Sequence, residues 1–320
     1  MNMPQQTKLA QPVVMTSWWA EYRTEIVIVL IGFSVMNLIF FPGAFRDGFT
    51  VDRTAAGQLG DFVGGYVGTA FVLLSVVLLF ITLKKQRLTA QEQSFETKYF
   101  ELIKIHRDNV DELQLKGERG RKIFVLILRE FRLILSVTRR IALQSNQNLD
   151  QQQLIHIAYY CLYFGTGPNS SRMLKMSLAK FDAHFITMLE NELGKEDVKL
   201  EAERQRKLAY KPFEGHQSRL GHYYRHLYQT VCYVDKQKLD LDKYEFVKTI
   251  RAQLSTHEQA LLLLNSLTPI GQNWWEKDLI VKYRMVQNLP REFFEPQSEI
   301  NVSEIFDSGY FEWEEVEQAT

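Results

Sequence analysis

One apolar segment constrains this chain more than any other feature of its sequence. From Phe62 to Leu83 the chain carries no charged residue, and Lys84, Lys85 and Arg87 follow at once. An uncharged helix of about 22 residues, rising about 1.5 Å per residue, covers the ~30 Å hydrocarbon core of a bilayer. The segment is therefore predicted to be a transmembrane helix that ends at a cationic stop.

A second apolar run, from Ile26 to about Phe41, precedes this segment. Trp18, Trp19 and Tyr22 stand just before it, as aromatic side chains do at a membrane interface. A cleaved signal peptide fits less well, because more than twenty residues come first and no small-x-small cleavage site follows. The two runs together predict an N-terminal two-helix transmembrane hairpin over residues 25–83.

Charge predicts which side of the membrane each part occupies. The link between the two runs, about residues 46–61, is short and slightly acidic, whereas Lys and Arg concentrate after the second run. The positive-inside rule then puts the C-terminal domain in the cytoplasm. Because the chain crosses the membrane twice, residues 1–24 are also predicted to be cytoplasmic, as a flexible segment.

The rest of the chain has a helical pattern. Apolar residues recur at helical spacing after Arg87 without Pro or Gly before Gly117, which predicts a helical stalk over residues 84–116. The fold class is therefore all-α, with the hairpin continuing through the stalk into a cytoplasmic helical domain over residues 117–290. An acidic, aromatic tail, residues 291–320, docks either on its own domain or on a partner. Helices are predicted over 121–143, 154–164, 170–193, 243–254 and 274–286, and one more begins at a capping box of Ser255 and Glu258.

Glycines spaced four apart mark the start of the second span. Gly60, Gly64 and Gly68 form a smooth strip that lets another helix approach closely, either within the hairpin or between subunits of a homo-oligomer. Asp61, at the edge of the strip, is either an interfacial carboxylate or part of an ion path. Asn37, inside the first span, is positioned to hydrogen-bond across the hairpin.

Composition and motifs exclude several functional classes. The chain has 38 Lys and Arg residues against 38 Asp and Glu residues, which argues against DNA binding through bulk positive charge. No phosphate-binding glycine loop, dinucleotide motif or nucleophile elbow is present. No cofactor is therefore predicted, and the bilayer is the first expected partner.

The block GHYYRHLY, residues 221–228, has the highest density of side chains that could act in binding or catalysis. His222 and His226 share a helix face, but the glutamate that metalloprotease chemistry needs is replaced by Tyr223, so no metal site is predicted. Instead His222, Tyr223, Tyr224 and Arg225 are predicted to support an interface or sensing surface.

Several blocks together resemble the phage abortive infection proteins of bacteria, the AbiC-like group. They are Gly60-Asp61-Phe62, the Gln-rich stalk leading to Phe95 and Phe100, residues 221–228, and Arg251-Ala252-Gln253-Leu254-Ser255 leading to Leu261–Asn265. The likeness covers roughly residues 57–290. It implies a two-span protein of the bacterial inner membrane that halts phage propagation, often by stopping the infected cell, and it supplies no catalytic residues.

Two functional hypotheses follow. In the first, the helical domain senses a phage product or an operon partner protein, and the oligomerised hairpin perturbs the inner membrane without enzymatic activity. In the second, the hairpin only tethers a ribonuclease of the HEPN type to the membrane. The signature of that type is an arginine followed by a histidine after four to six residues. Arg219 with His226 and Arg251 with His257 fit this signature. A third reading is a membrane adaptor for a partner protein.

Overall fold

The computed structural model describes residues 27, 28, 30–32, 34, 35, 38, 46, 47, 50–167, 170–208, 210–290, 293, 294 and 300–314. Helix accounts for 72 % of the structure and strand for 2 %, so the predicted all-α class is confirmed. The chain divides into two compact units, Met1–Leu88 and Thr89–Thr320.

The first unit contains a small hairpin followed by helix. Its elements are β1 (Arg46–Asp47), antiparallel to β2 (Thr50–Val51), then α1 (Arg53–Phe62), a π-helical turn (Val63–Val67) and the first part of α2 (Gly68–Asp111). The helix begins at Arg53 because the Asp52 side chain accepts hydrogen bonds from the backbone N–H groups of Thr54 (2.9 Å) and Ala55 (3.2 Å). The link over residues 46–61 is therefore largely ordered secondary structure rather than an extended loop.

The helical run Arg53–Asp111 contains the segment predicted to cross a membrane. Its most apolar 18-residue window has a mean hydropathy of 2.4, and none of that window is buried. The Ser75 and Thr82 hydroxyls donate to the Phe71 and Leu78 carbonyls (2.8 and 2.9 Å), so these polar side chains are satisfied within the helix. Among the described residues, this is the one run that is long and apolar enough to span a membrane. The residues described between 27 and 38 are also helical. The two-helix transmembrane hairpin stays a prediction.

The C-terminal part of α2 belongs to the core of the second unit. Phe95, Tyr99, Ile103 and Val110 recur along one face and are each less than 8 % exposed. The Tyr99 hydroxyl donates to the Phe246 carbonyl at 2.7 Å. The stretch predicted as a stalk is thus packed from Phe95 onward. The helix ends at Asp111, before a two-residue hairpin of β3 (Gln114–Leu115) and β4 (Glu118–Arg119) whose turn uses Gly117 at a φ of +95°.

The second unit is built around α3. The further helices are α3 (Lys122–Gln144), α4 (Gln151–Phe164), α5 (Ser171–Ser177), α6 (Ala183–Gly194), α7 (Glu196–Arg206), α8 (Gln217–Asp235), α9 (Lys243–Arg251), α10 (Thr256–Ser266), α11 (Asn273–Glu276) and α12 (Leu279–Lys282), with a 3-10 turn at Val302–Glu304. The helix α3 contacts α4, α6, α7 and α10, because apolar side chains recur around most of its circumference.

Two predicted helices are broken in the structure. The helix predicted over 170–193 is α5 and α6, because the Asp182 side chain accepts the Phe185 N–H (2.7 Å) and starts a new helix. The helix predicted over 274–286 is α11 and α12, which are separated by Asp278 in the left-handed region at φ 54°. Both predictions of continuous helices were wrong, because the spacing of apolar residues does not show where a helix is interrupted within a segment.

The described part of the tail packs into the second unit. Its aromatic residues Phe294, Phe306, Tyr310 and Phe311 are each less than 8 % exposed. The Tyr310 hydroxyl donates to the Ile280 carbonyl at 2.8 Å. The described part of the tail therefore docks on its own domain.

A buried carboxylate fixes the loop that leads into α8. Glu130, in the middle of α3, is fully buried and accepts hydrogen bonds from the Tyr210 hydroxyl and from the Phe213 N–H (2.8 Å), and it pairs with His216 Nε2 at 2.9 Å. Burial raises the pKa of Glu130, but the His216 charge and these hydrogen bonds outweigh it and hold the pKa below its ordinary value. The ionised carboxylate is thus the acceptor around which residues 210–216 are arranged.

We expect Glu130→Ala to lower the free energy of unfolding by about 3–5 kcal/mol, because it leaves three buried donors without their acceptor. Glu201→Ala is the matched control: it removes a surface carboxylate that lies 3.6 Å from Arg204, and we expect a change of at most about 1 kcal/mol. Thermal unfolding of the full-length protein in detergent measures both. Equal effects of the two variants would contradict the role given to Glu130.

Candidate functional site

The residues of the block 221–228 lie on α8, some buried and some exposed. Tyr223 is 1 % exposed and Tyr224 is 5 % exposed, whereas His222 and Arg225 lie at the surface and His226 is half-buried. The four residues predicted to form one interface or sensing surface are therefore divided. The tyrosines belong to the interior, and His222 and Arg225 face outward.

Tyr223 joins α8 to the beginning of α10. Its hydroxyl donates to Glu258 Oε1 at 2.7 Å, and Glu258 Oε2 accepts the Ser255 N–H at 2.8 Å. The predicted capping box of Ser255 and Glu258 is therefore confirmed. Arg121 Nε lies 3.6 Å from the same carboxylate. Burial and the charge of Glu258 raise the pKa of Tyr223 well above its ordinary value, which keeps the phenol protonated as a donor.

These two blocks lie in the segment for which a family is found. Residues 215–294 match the family described as "Putative phage abortive infection protein". The resemblance inferred from the sequence is confirmed for this segment, which holds α8 to α12 and the Tyr223–Glu258 contact. Comparison with curated proteins and with solved structures gives no match.

Within the family segment, His226 contacts a histidine that lies outside it. The rings of His226 and His106 stack with centroids 6.0 Å apart, and the His106 ring also lies 5.0 Å from that of Tyr223. Both nitrogens of each of these two histidines are buried without a hydrogen-bond partner. Sequence reasoning missed His106, although its position three residues after Ile103 places it on the buried stripe of α2.

The paired histidines are neutral at neutral pH. Burial is the main cause that lowers the pKa of His106 to about 4, followed by the repulsion that a second proton on His226 would cause and by the charge of Arg121. Burial and His222 also lower the pKa of His226. Among the described residues, no group of three or more His, Cys, Asp or Glu side chains is arranged to hold a metal ion. The pair therefore acts as aromatic core in this part of the molecule.

The two arginines and two histidines of the ribonuclease hypothesis occupy four separate environments. Arg251 is 6 % exposed and donates to the carbonyls of Tyr283 (2.9 Å) and Arg284 (3.1 Å), so its guanidinium stabilises a bend in the backbone. The His257 ring packs edge-on against Phe293 at 5.3 Å. Burial, with Arg132 and Arg129 nearby, lowers the pKa of His257.

Arg219 is the more accessible of the two arginines. Its Nε donates to the Gln114 carbonyl at 3.3 Å, and it lines a shallow cleft with His222 and Glu112. His226, its partner in the predicted signature, does not line that cleft. The geometry thus groups Arg219 with His222 rather than with His226.

The residues of the glycine strip lie in the first unit with space around them. A Cβ atom added at Gly60 or Gly64 would meet no atom within 4 Å, and one at Gly68 would touch only the Val63 carbonyl at 3.6 Å. Gly64 lies in the π-helical turn, a feature often found at functional positions. Asp61 is exposed. Asn37 lies outside the described residues.

The buried histidine pair predicts a specific pH dependence of stability. The pKa of His106 is about 4 in the folded protein against 6.5 for the free side chain, so the unfolded chain binds more protons between these pH values. Stability should therefore be fully present above pH 6.5 and decrease as the pH falls toward 4, by roughly 3 kcal/mol from this residue.

His106→Phe keeps the ring and removes the titration, so we expect a shallower fall in the unfolding temperature of the full-length protein in detergent between pH 6.5 and 4. Part of the slope should remain, because burial also lowers the pKa of His156 to about 4. His184→Gln, on the surface of α6, is the control. A variant with the slope of the wild type would show that His106 does not carry the effect.

Proposed function

We propose that this protein is an abortive infection effector that acts at the bacterial inner membrane. One observation carries the proposal: the helix α2 contains exposed apolar residues from Phe71 to Leu83 and, further along, residues buried in the core that holds the family segment. These residues belong to an uncharged helical run of 22 residues, Phe62 to Leu83, which is long enough to span the hydrocarbon core of a bilayer. The family match supports a role in phage abortive infection.

The charges at the end of the apolar stretch support a cytoplasmic domain. Lys84, Lys85 and Arg87 follow Leu83 directly, and clustered cations of this kind stay on the cytoplasmic side. Apolar residues that are exposed and helical between Val27 and Leu38 support a first span, and hence the two-helix hairpin. The second unit then meets phage products or an operon partner protein inside the infected cell.

Contacts between α2 and the family segment support a sensing role for the second unit. Phe95 packs edge-on against Phe246 at 5.0 Å, Tyr99 donates to the Phe246 carbonyl, and His106 stacks against His226. A ligand that alters α8 or α9 would therefore alter the packing of α2. A two-state equilibrium of this helix, biased by binding, couples recognition to the membrane segment.

The membrane step in this proposal is self-association along the glycine strip. The open surroundings of Gly60 and Gly64 leave room for a second helix at close range, where small residues allow backbone approach in lipid. The ribonuclease alternative has less support, since Arg251 already donates to two backbone carbonyls. It remains a distinct outcome of the tests below.

We expect Gly64→Leu to abolish most phage protection, because a branched side chain on the strip removes about 1–2 kcal/mol of helix packing and weakens association roughly tenfold. Ala70→Leu is the matched control, since Ala70 is also exposed but lies off the strip. Plaque counts, membrane fractionation and cross-linked oligomer size are measured for both variants.

Both variants should remain in the membrane fraction. The proposal fails for the glycine strip if Gly64→Leu protects cells as well as the wild type with an unchanged oligomer size. The proposal that the protein acts in the membrane fails if the wild-type protein is recovered in the aqueous fraction.

A further inference from the structure

A small aromatic cavity lies beside α8 in the second unit. Its volume is about 220 Å³, and its lining includes Tyr163, Tyr224, Arg225, Tyr228, Asn265 and Trp274. All of its lining residues except Tyr163 lie in the family segment. The cavity is distinct from the Tyr223–Glu258 contact and from the histidine pair. Its size suits a small ligand rather than a peptide.

The walls of the cavity are flat aromatic surfaces. Trp274 is 2 % exposed and meets Tyr228 edge-on at 5.3 Å between centroids. Gly271 approaches the Asn265 backbone so closely that a Cβ atom would lie 2.4 Å from the Asn265 carbonyl oxygen, so no larger residue fits at this side. Aromatic walls of this kind stack on planar ligands.

One polar group in the cavity has no partner within the described residues. Tyr224 is only 5 % exposed. Its hydroxyl is buried and makes no hydrogen bond. Such a group lowers stability unless a bound molecule satisfies it. Nearby, the Asn265 amide is held in place because its Nδ2 donates to the Tyr159 hydroxyl at 2.9 Å. A ligand with hydrogen-bonding edges would meet both.

The mouth of the cavity is positively charged. Arg225 is exposed, lines the cavity and forms no ion pair within the described part of the chain. Burial raises the pKa of Tyr163, and the Arg225 charge opposes that rise, which agrees with a guanidinium close to the cavity wall. Lys277 does not line the cavity, but its Nζ lies 5.0 Å from the centre of the Tyr228 ring, which does. An anionic group on the ligand would be stabilised here.

We propose that this cavity binds one nucleotide, with the base against the aromatic wall that Trp274 and Tyr228 form, the Tyr224 hydroxyl bonded to the base edge, and the phosphate at Arg225. Two sources supply this chemistry: a free mononucleotide, or an unpaired nucleotide of single-stranded nucleic acid. The balanced net charge of the chain fits recognition of one nucleotide rather than of a long phosphate backbone. The proposal concerns the second unit alone and does not depend on the membrane mechanism.

Titration calorimetry of the full-length protein in detergent tests this site. The probes are AMP, GMP, CMP and UMP, together with adenosine, ribose 5-phosphate and a single-stranded hexanucleotide. We expect at least one mononucleotide to bind and ribose 5-phosphate not to bind. Tighter binding of the hexanucleotide identifies nucleic acid as the source, and equal or weaker binding identifies the free nucleotide. No binding of any nucleotide would overturn the proposal.

Two variants assign the binding to the cavity. Tyr224→Phe should weaken nucleotide binding about 2–10-fold while leaving the unfolding temperature of the ligand-free protein equal or higher, since it removes a hydroxyl that has no partner. Arg225→Gln should weaken the nucleotide about tenfold and leave adenosine unchanged. Arg204→Gln, on the surface of α7, is the control. Nucleotide affinity unchanged in both cavity variants would overturn the assignment.

Discussion

The transfer of apolar side chains out of water is the constraint on which the rest of the structure depends. Eleven large apolar side chains between Phe71 and Leu83 are 41–68 % exposed. Leaving them in water would cost on the order of 10–20 kcal/mol, which is comparable to the whole stability of a typical domain of 5–15 kcal/mol. Hydrocarbon removes this cost without any protein partner. The Ser75 and Thr82 hydroxyls meet the same constraint, because they bond to carbonyls of their own helix.

The same helix becomes part of a protein core twelve residues beyond Leu83, at Phe95, where its buried stripe begins. In the second unit, polar contacts then determine which helices are joined: Glu130 of α3 holds the loop before α8, and Tyr223 of α8 holds Glu258 of α10. Each is a buried carboxylate whose hydrogen bonds are specific, whereas the surrounding apolar packing tolerates substitution more readily. The family segment is thus tied to α3 through His216, and Tyr99 in the C-terminal part of α2 donates to the Phe246 carbonyl of the same segment.

Periodicity and composition predicted the all-α class, the apolar helix and the Ser255–Glu258 capping box, because each depends on residues close together in sequence. The breaks at Asp182 and Asp278 escaped prediction, since a cap in mid-segment and a left-handed residue leave the apolar pattern intact. The block 221–228 also predicted that His222, Tyr223, Tyr224 and Arg225 form one surface. In the structure His222 and Arg225 are exposed, whereas the two tyrosines are buried. The Glu130–His216 pair and the His106–His226 pair join residues more than 80 positions apart, and no local pattern reports such contacts.

The central claim is that infection causes this protein to act on the membrane rather than on RNA. Membrane potential, followed with a voltage-sensitive dye in cells expressing the protein before and after phage infection, tests it most directly when RNA integrity is read from the same samples. The account predicts early depolarisation while cellular RNA is still intact. Fragmented RNA in cells that remain polarised would contradict it and would direct attention to Arg219 and the histidines of α8.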